Sequence, residues 1–218
     1  MLNLNLKIYL IRHGQSEINI LPDQIGQKPD SKLTSLGAKQ ATCLYDYYNQ
    51  IPFDYVYSST YDRAYDTANI ATFKDRNYKV CPIVKVPQLR EYDAGDWTGA
   101  SRREIVNDSI KLDMGNFNNG FLPPNGESLN QVERRASEWL EDNILYSKDL
   151  EKFCLQNGSA SIAIFTHGMT IKCLLHYVMG FDKSFTYKIN IDNTSVTRLY
   201  YNKNGWFLDK LNDTSHIR

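Results

Sequence analysis

Short apolar runs alternate along this chain with longer stretches in which apolar residues recur at helical spacing. The runs Ile8–Ile11, Tyr55–Tyr57, Val80–Val86, Ile162–Phe165 and Val196–Tyr200 have the length and makeup of buried strands. Between them, residues 34–49 predict a helix, with Thr34 placed to cap it and Leu36, Ala41, Leu44 and Tyr48 marking one face. Residues 60–72 carry Ala64, Ala68 and Ala71 at the same period. A long helix is predicted from Ser128, where Ser128-Leu129-Asn130-Gln131 has capping-box form, through Val132, Ala136, Leu140 and Ile144. A last one runs from Gly168 through Ile171, Leu174, Leu175 and Val178 to Gly180, a residue suited to ending a helix. Strands alternating with helices imply a mostly parallel sheet covered on both faces. The expected fold is α/β, a single three-layer domain over residues 1–218 with its central sheet flanked by helices. Residues 115–126 (GNFNNGFLPPNG) are rich in turn formers and are read as a flexible lid or excursion.

Length and charge narrow the partners. A chain of 218 residues can bury a substantial core without disulfide or metal staples. Lys plus Arg number 25 and Asp plus Glu number 25, so there is no net positive field to hold nucleic acid or an anionic membrane. Neither partner is expected, and any positive charge that function needs must be local. The four cysteines form no C-x-x-C pair and read as reduced thiols. Lys7 and Arg12 interrupt the apolar N-terminal stretch, and the runs IYLI and IAIF are too short to span a bilayer. A soluble, cytoplasmic protein is the expectation.

Ligands of open α/β sheets bind beyond the carboxyl ends of the strands. Two predicted strands run there into the same phrase: IYLI into Arg12-His13-Gly14, and IAIF into Thr166-His167-Gly168. If these strands are neighbours, both imidazoles face one crevice. A satisfied polar residue at a strand end would explain either histidine alone, but the repeated context beside Arg12 speaks against it for the pair. His176 and His216 are assigned no chemical role. A third run leads through Ser58-Ser59-Thr60 into a helix with Arg63 in its first turn, a setting that suits phosphate. Taken alone, a surface Arg63 paired with Asp62 or Asp66 would be the commoner outcome. The stretch Leu89–Gly99 (LREYDAGDWTG) holds three carboxylates, one of which could act as a general acid. Dinucleotide, P-loop, serine-elbow and zincin motifs are absent from the sequence. A metal held by His13, His167 and a carboxylate stays formally open, although Arg12 would repel it.

These pieces resemble, in order, the signature of the histidine phosphatase (phosphoglycerate mutase-like) superfamily, in its bacterial small-phosphatase branch. The likeness begins with Leu10-Ile11-Arg12-His13-Gly14-Gln15-Ser16-Glu17-Ile18-Asn19 and continues through Leu33-Thr34, Gly37 and Gln40-Ala41. It takes in Ser58-Ser59 with Arg63-Ala64 and Thr67-Ala68, Leu89-Arg90-Glu91 with Gly95-Asp96-Trp97 and Gly99, and Gly126-Glu127-Ser128. It resumes at Thr166-His167-Gly168 and reaches Asn193–Thr197 and Leu211–His216. The resemblance implies that His13 accepts a phosphoryl group, that Arg12, Arg63 and His167 surround its oxygens, and that Glu91 is the general acid. It adds Asn19, Gly168 and Arg102 as substrate-binding positions, with no metal and no cofactor. Two departures stand out. Gln15 replaces the commoner Glu, and the segment Leu21–Lys32 lacks the usual aromatic near Gly26.

The implied activity is metal-independent hydrolysis of a small phosphorylated metabolite through a phosphohistidine intermediate. One alternative is a cofactor-dependent phosphoglycerate mutase. Against it, residues 100–125 are too few for the insertion and Arg pair of the mutase branch, and Arg103 is expected on a solvated helix face. Another is a phospho-ligand binding module without turnover, against which the intact His13 and Glu91 speak. The oligomeric state is not legible, and a homodimer stays open.

Overall fold

The structure, a computed structural model, describes residues 4–21, 23–26, 31–48, 52–73 and 81–217. Six strands form one sheet: β1 (Leu6–Arg12), β2 (Tyr55–Ser59), β3 (Ile83–Val86), β4 (Ala160–Thr166), β5 (Val196–Asn202) and β6 (Gly205–Asp213). Their order is β3-β2-β4-β1-β5-β6. The four from β3 to β1 are parallel, and β5 and β6 close the sheet as an antiparallel hairpin. The helices are α1 (Ser35–Tyr48), α2 (Asp62–Phe73), α3 (Arg102–Ile105), α4 (Asp108–Phe117), α5 (Leu129–Leu140), α6 (Lys148–Asn157) and α7 (Gly168–Met179).

Alternation along the central strands sorts their side chains onto two faces. Leu6, Ile8 and Leu10 of β1 join Ile162 and Ile164 of β4 against Ala136, Trp139 and Leu140 of α5, Cys154 of α6 and Leu174 of α7. Tyr9, Ile11, Ala163 and Phe165 point the other way, onto Leu44 and Tyr48 of α1 and Ala68 and Ala71 of α2. Both faces are dry, which is why β1 and β4 read as unbroken apolar runs instead of alternating ones. The three-layer expectation holds.

The local signals hold as well. Thr34 Oγ1 accepts from the Gly37 N–H at 3.1 Å, capping α1. Ser128 and Gln131 exchange both capping-box bonds, at 3.3 and 2.6 Å. Gly180 ends α7 in the left-handed region with φ 63°. Three expectations need revision. The strand expected over 80–86 is β3 from Ile83, and Val80 lies outside the described residues. The helix from Ser128 does not run unbroken to Ile144, since α5 ends at Leu140 and a π-type turn covers Glu141–Leu145. Residues 115–126 are not a free lid. α4 extends to Phe117, and the turn at its far end is tied down, with the Asp96 N–H donating to the Pro124 carbonyl at 2.9 Å and the Glu127 N–H to that of Asp93 at 2.9 Å.

Candidate active site

The pairing of β1 with β4 sets Arg12 opposite Thr166, so the two His-Gly phrases leave the sheet side by side. The His13 N–H extends the ladder by donating to the Thr166 carbonyl at 3.0 Å. As a result the His13 and His167 rings lie 5.1 Å apart, both fully buried. Strand β2 flanks β4 on its other side and delivers Ser59, whose Oγ is 2.8 Å from His167 Nε2. In the first turn of α2, Arg63 is 0% exposed, which removes the surface-pair reading of this residue. Its guanidinium carbon stands 5.0 Å from the Tyr61 ring centre, and Tyr61 packs edge-on against His167.

His13 Nδ1 lies 2.7 Å from the Gly14 carbonyl. A carbonyl only accepts, so Nδ1 carries a proton, and Nε2 is the nitrogen that holds the lone pair in the neutral ring form. The backbone around His13 is held from several directions. Gly14 N–H donates to Thr67 Oγ1 at 2.9 Å, and that hydroxyl donates to the Arg63 carbonyl at 2.6 Å, linking the loop after β1 to α2. The His13 carbonyl accepts from Asn193 Nδ2 at 3.0 Å and from the Thr194 N–H at 3.2 Å. Arg12 Nη1 donates to the Ile191 carbonyl at 2.6 Å, and its Nε has no partner among the described residues. Gly14 and Gly37 meet backbone to backbone: a Cβ on Gly37 would lie 2.0 Å from the Gln15 carbonyl oxygen. Gln15 itself serves this junction, its Oε1 accepting from Thr34 Oγ1 at 2.9 Å.

Positive charge is crowded here. Burial holds Arg12 below its ordinary value and pushes Arg63 down to about 10, with Glu91 pulling both back up. His167 is held well below its usual value, first by burial and then by Arg63, His13 and Arg12. Of the three carboxylates in the segment 89–99, only Glu91 is buried, at 6% exposure. Its oxygens accept from the N–H groups of Tyr92 at 2.9 Å and Met169 at 3.3 Å, the second in the first turn of α7. Asp93 and Asp96 are exposed and shape turns, accepting from the Gly95 N–H and from Asn125 Nδ2, both at 2.9 Å.

A family model described as histidine phosphatase superfamily (branch 1) matches residues 8–214. The chain belongs to that superfamily. It is a histidine phosphatase by family and by fold. The probable phosphoglycerate mutase GpmB of Proteus mirabilis is 27% identical over 97% of this chain and 95% of its own. YhfR of Bacillus stearothermophilus superposes with a TM-score of 0.78 at 26% identity, over 98% of this chain and all of that one. A mutant phosphoserine phosphatase of Entamoeba histolytica, solved with phosphoserine, also gives 0.78, at 25% identity and the same coverage.

In this histidine phosphatase the expected site residues do not all converge. Arg12, His13, Arg63, Glu91, His167 and Gly168 come together beyond the carboxyl ends of the central strands, where a Cβ on Gly168 would stand 3.6 Å from Arg12 Nε. Asn19 lies beside it, with Oδ1 taken by the Ser16 N–H at 3.0 Å, Ser16 Oγ at 3.1 Å and Asn193 Nδ2 at 3.2 Å, so its Nδ2 is the end left for a ligand. Arg102 stands apart, exposed at the start of α3, with its N–H on the Asp23 carbonyl at 2.6 Å. Sequence reasoning passed over Tyr61, Asn193 and Lys172. Lys172 sits one turn into α7, half-buried, and burial lowers its proton affinity while Glu91 raises it. Among the described residues no three His, Cys, Asp or Glu side chains converge as a metal site would need. No helix among them is long and apolar enough to cross a membrane.

Proposed function

We propose that this pocket moves a phosphoryl group from a small phosphomonoester to His13 and then to water. The observation that carries the reading is the in-phase pairing of β1 and β4, which sets two histidines 5.1 Å apart in company with Arg12, Arg63 and Glu91. His13 Nε2 supplies the electron pair that forms the N–P bond as the ester P–O bond breaks. The leaving oxygen takes its proton from Glu91. The carboxylate so formed then takes a proton from the water that attacks phospho-His13, the N–P bond breaks, and inorganic phosphate leaves. Arg12, Arg63, His167, Asn19 and the Gly168 N–H surround the transferring oxygens. Their fixed charge and dipoles are worth most when negative charge gathers there in transit.

This assignment makes Arg12 and Arg63 the charge stabilisers that a divalent ion provides elsewhere. The four cysteines are free thiols, which suits the reducing cytoplasm. The test is hydrolysis of p-nitrophenyl phosphate with and without EDTA, followed by rapid quench with labelled substrate. Turnover is expected to survive the chelator, and an acid-labile label is expected on His13 and absent from His13→Ala. A label on His167 would reverse the two histidines' roles, and no release at all would leave only a binding module.

A further inference from the structure

Glu91 itself lies outside sheet and helix, and its carboxylate is held directly by two backbone donors, the N–H groups of Tyr92 and Met169. Four successive carbonyls, from the short 3-10 turn Pro87–Leu89 through to Glu91, each accept a hydrogen bond from a side chain. Gln88 takes Arg135 Nη1 at 2.5 Å, Leu89 takes Thr166 Oγ1 at 2.6 Å, Arg90 takes Thr170 Oγ1 at 2.7 Å, and Glu91 takes Arg135 Nη2 at 3.2 Å. Arg135, on α5, thus grips the stretch at both ends. Its Nε and Nη2 also form a two-pronged pair with Glu127 at 3.1 and 2.7 Å, and Glu127 Oε1 accepts from the Asp93 N–H at 3.0 Å. The pair is largely covered, with side chains 22% and 19% exposed.

We propose that Arg135, locked by Glu127, is the positioning residue that aims Glu91 at the leaving oxygen. This rests on Glu91 being the proton donor. Only the planar guanidinium fork can serve Glu127, Gln88 and Glu91 at once, and a lysine keeps the charge but offers no such fork. If the clamp slackens, Glu91 drifts while His13, Arg12 and Arg63 keep their own hydrogen bonds, because Arg135 bonds to none of them. A misplacement near one ångström costs on the order of a hundredfold in a step that depends on alignment. The loss should fall on substrates that need protonation of the leaving group and spare those that do not.

The experiment compares p-nitrophenyl phosphate, whose leaving group needs little protonation, with β-glycerophosphate, whose alkoxide needs it fully. Arg135→Gln is expected to lower kcat/KM for β-glycerophosphate about 30- to 100-fold and for p-nitrophenyl phosphate only a few-fold. Arg135→Lys should show the same split. Restored activity in Arg135→Lys would mean that charge alone matters and would overturn the proposal. In a Glu91→Gln background, Arg135→Gln should cost less than about twofold more, because the group it aims is already gone. Equal losses on both substrates, or full additivity with Glu91→Gln, would make Arg135 a plain structural brace. If Glu91→Gln itself shows no split between substrates, it is the proton-donor reading that fails. Melting curves accompany each variant, and if Arg135→Gln does not fold, Arg135→Lys and Glu127→Gln carry the same comparison.

Discussion

Two buried histidines, His167 in the site and His216 in the C-terminal turn, resist protonation more than they would in the unfolded chain. Burial depresses the proton affinity of His167, and of His216 where its Nε2 donates to Thr194 Oγ1 at 3.0 Å. Both start from an ordinary value of 6.5, so below that pH the unfolded chain gains protons that the fold refuses. The unfolded state then binds more protons, and stability must fall as pH drops through about 6.5 and onward. Urea midpoints at pH 7.5 and 5.5 should show this decline, and the double variant His167→Asn, His216→Gln should flatten it. An unchanged slope in that variant would place the acid sensitivity elsewhere. At this scale the sequence was only partly legible. His13 and His167 announced themselves by a repeated phrase at two strand exits. Arg63 and Glu91 were named through the family resemblance, and pattern alone left each with rivals, because what distinguishes Arg63 from a surface arginine, or Glu91 from Asp93, is burial, and burial is decided by elements far away in the chain.

Elements were legible where burial imposed a period. β1 and β4 are covered on both faces and α7 along one, so their apolar spacing reported them. β6 escaped because it is an edge strand with Phe207, Leu208 and Leu211 all exposed, so no face of it is selected to be apolar. The segment 98–102 gave no signal because its structure is borrowed: the Gly99 N–H donates to the Ile25 carbonyl at 2.8 Å and the Ile25 N–H to that of Ala100 at 2.9 Å. The docking of α1 onto the loop after β1 is a tight junction. A methyl group at Gly37 would meet the Gln15 backbone at 2.0 Å oxygen and 2.9 Å nitrogen distances, and backbone cannot swing aside. Gly37→Ala is therefore expected to cost about 1–3 kcal/mol in urea unfolding and to slow turnover, since the displaced residue is two positions from His13. Stability within about 0.5 kcal/mol of the parent protein, the range of an ordinary surface change, would show that α1 can pivot.

For the molecule as a whole, the open question among related activities is the fate of the phosphoenzyme. Residues 100–125 form α3, α4 and a turn pinned to Gly95, and Arg102 and Arg103 are both exposed. The proposed mechanism hands the phosphoryl group of His13 to water and not to a second hydroxyl, and that is the step to measure. With 3-phosphoglycerate and a bisphosphoglycerate primer, free phosphate is expected to exceed 2-phosphoglycerate, and an excess of the isomer would make this chain a mutase. The sheet order also has a consequence for how the protein is born. β1 emerges first, yet its two neighbours in the sheet are β4 and β5, and the His13 carbonyl waits for Asn193 and Thr194. At about 5–20 residues per second, translation from His13 to Ser195 takes roughly 10–40 s. For that whole interval the His13 loop lacks its backbone partners, and a message cut short before the codons for 191–195 yields a chain in which Arg12 and His13 never acquire them.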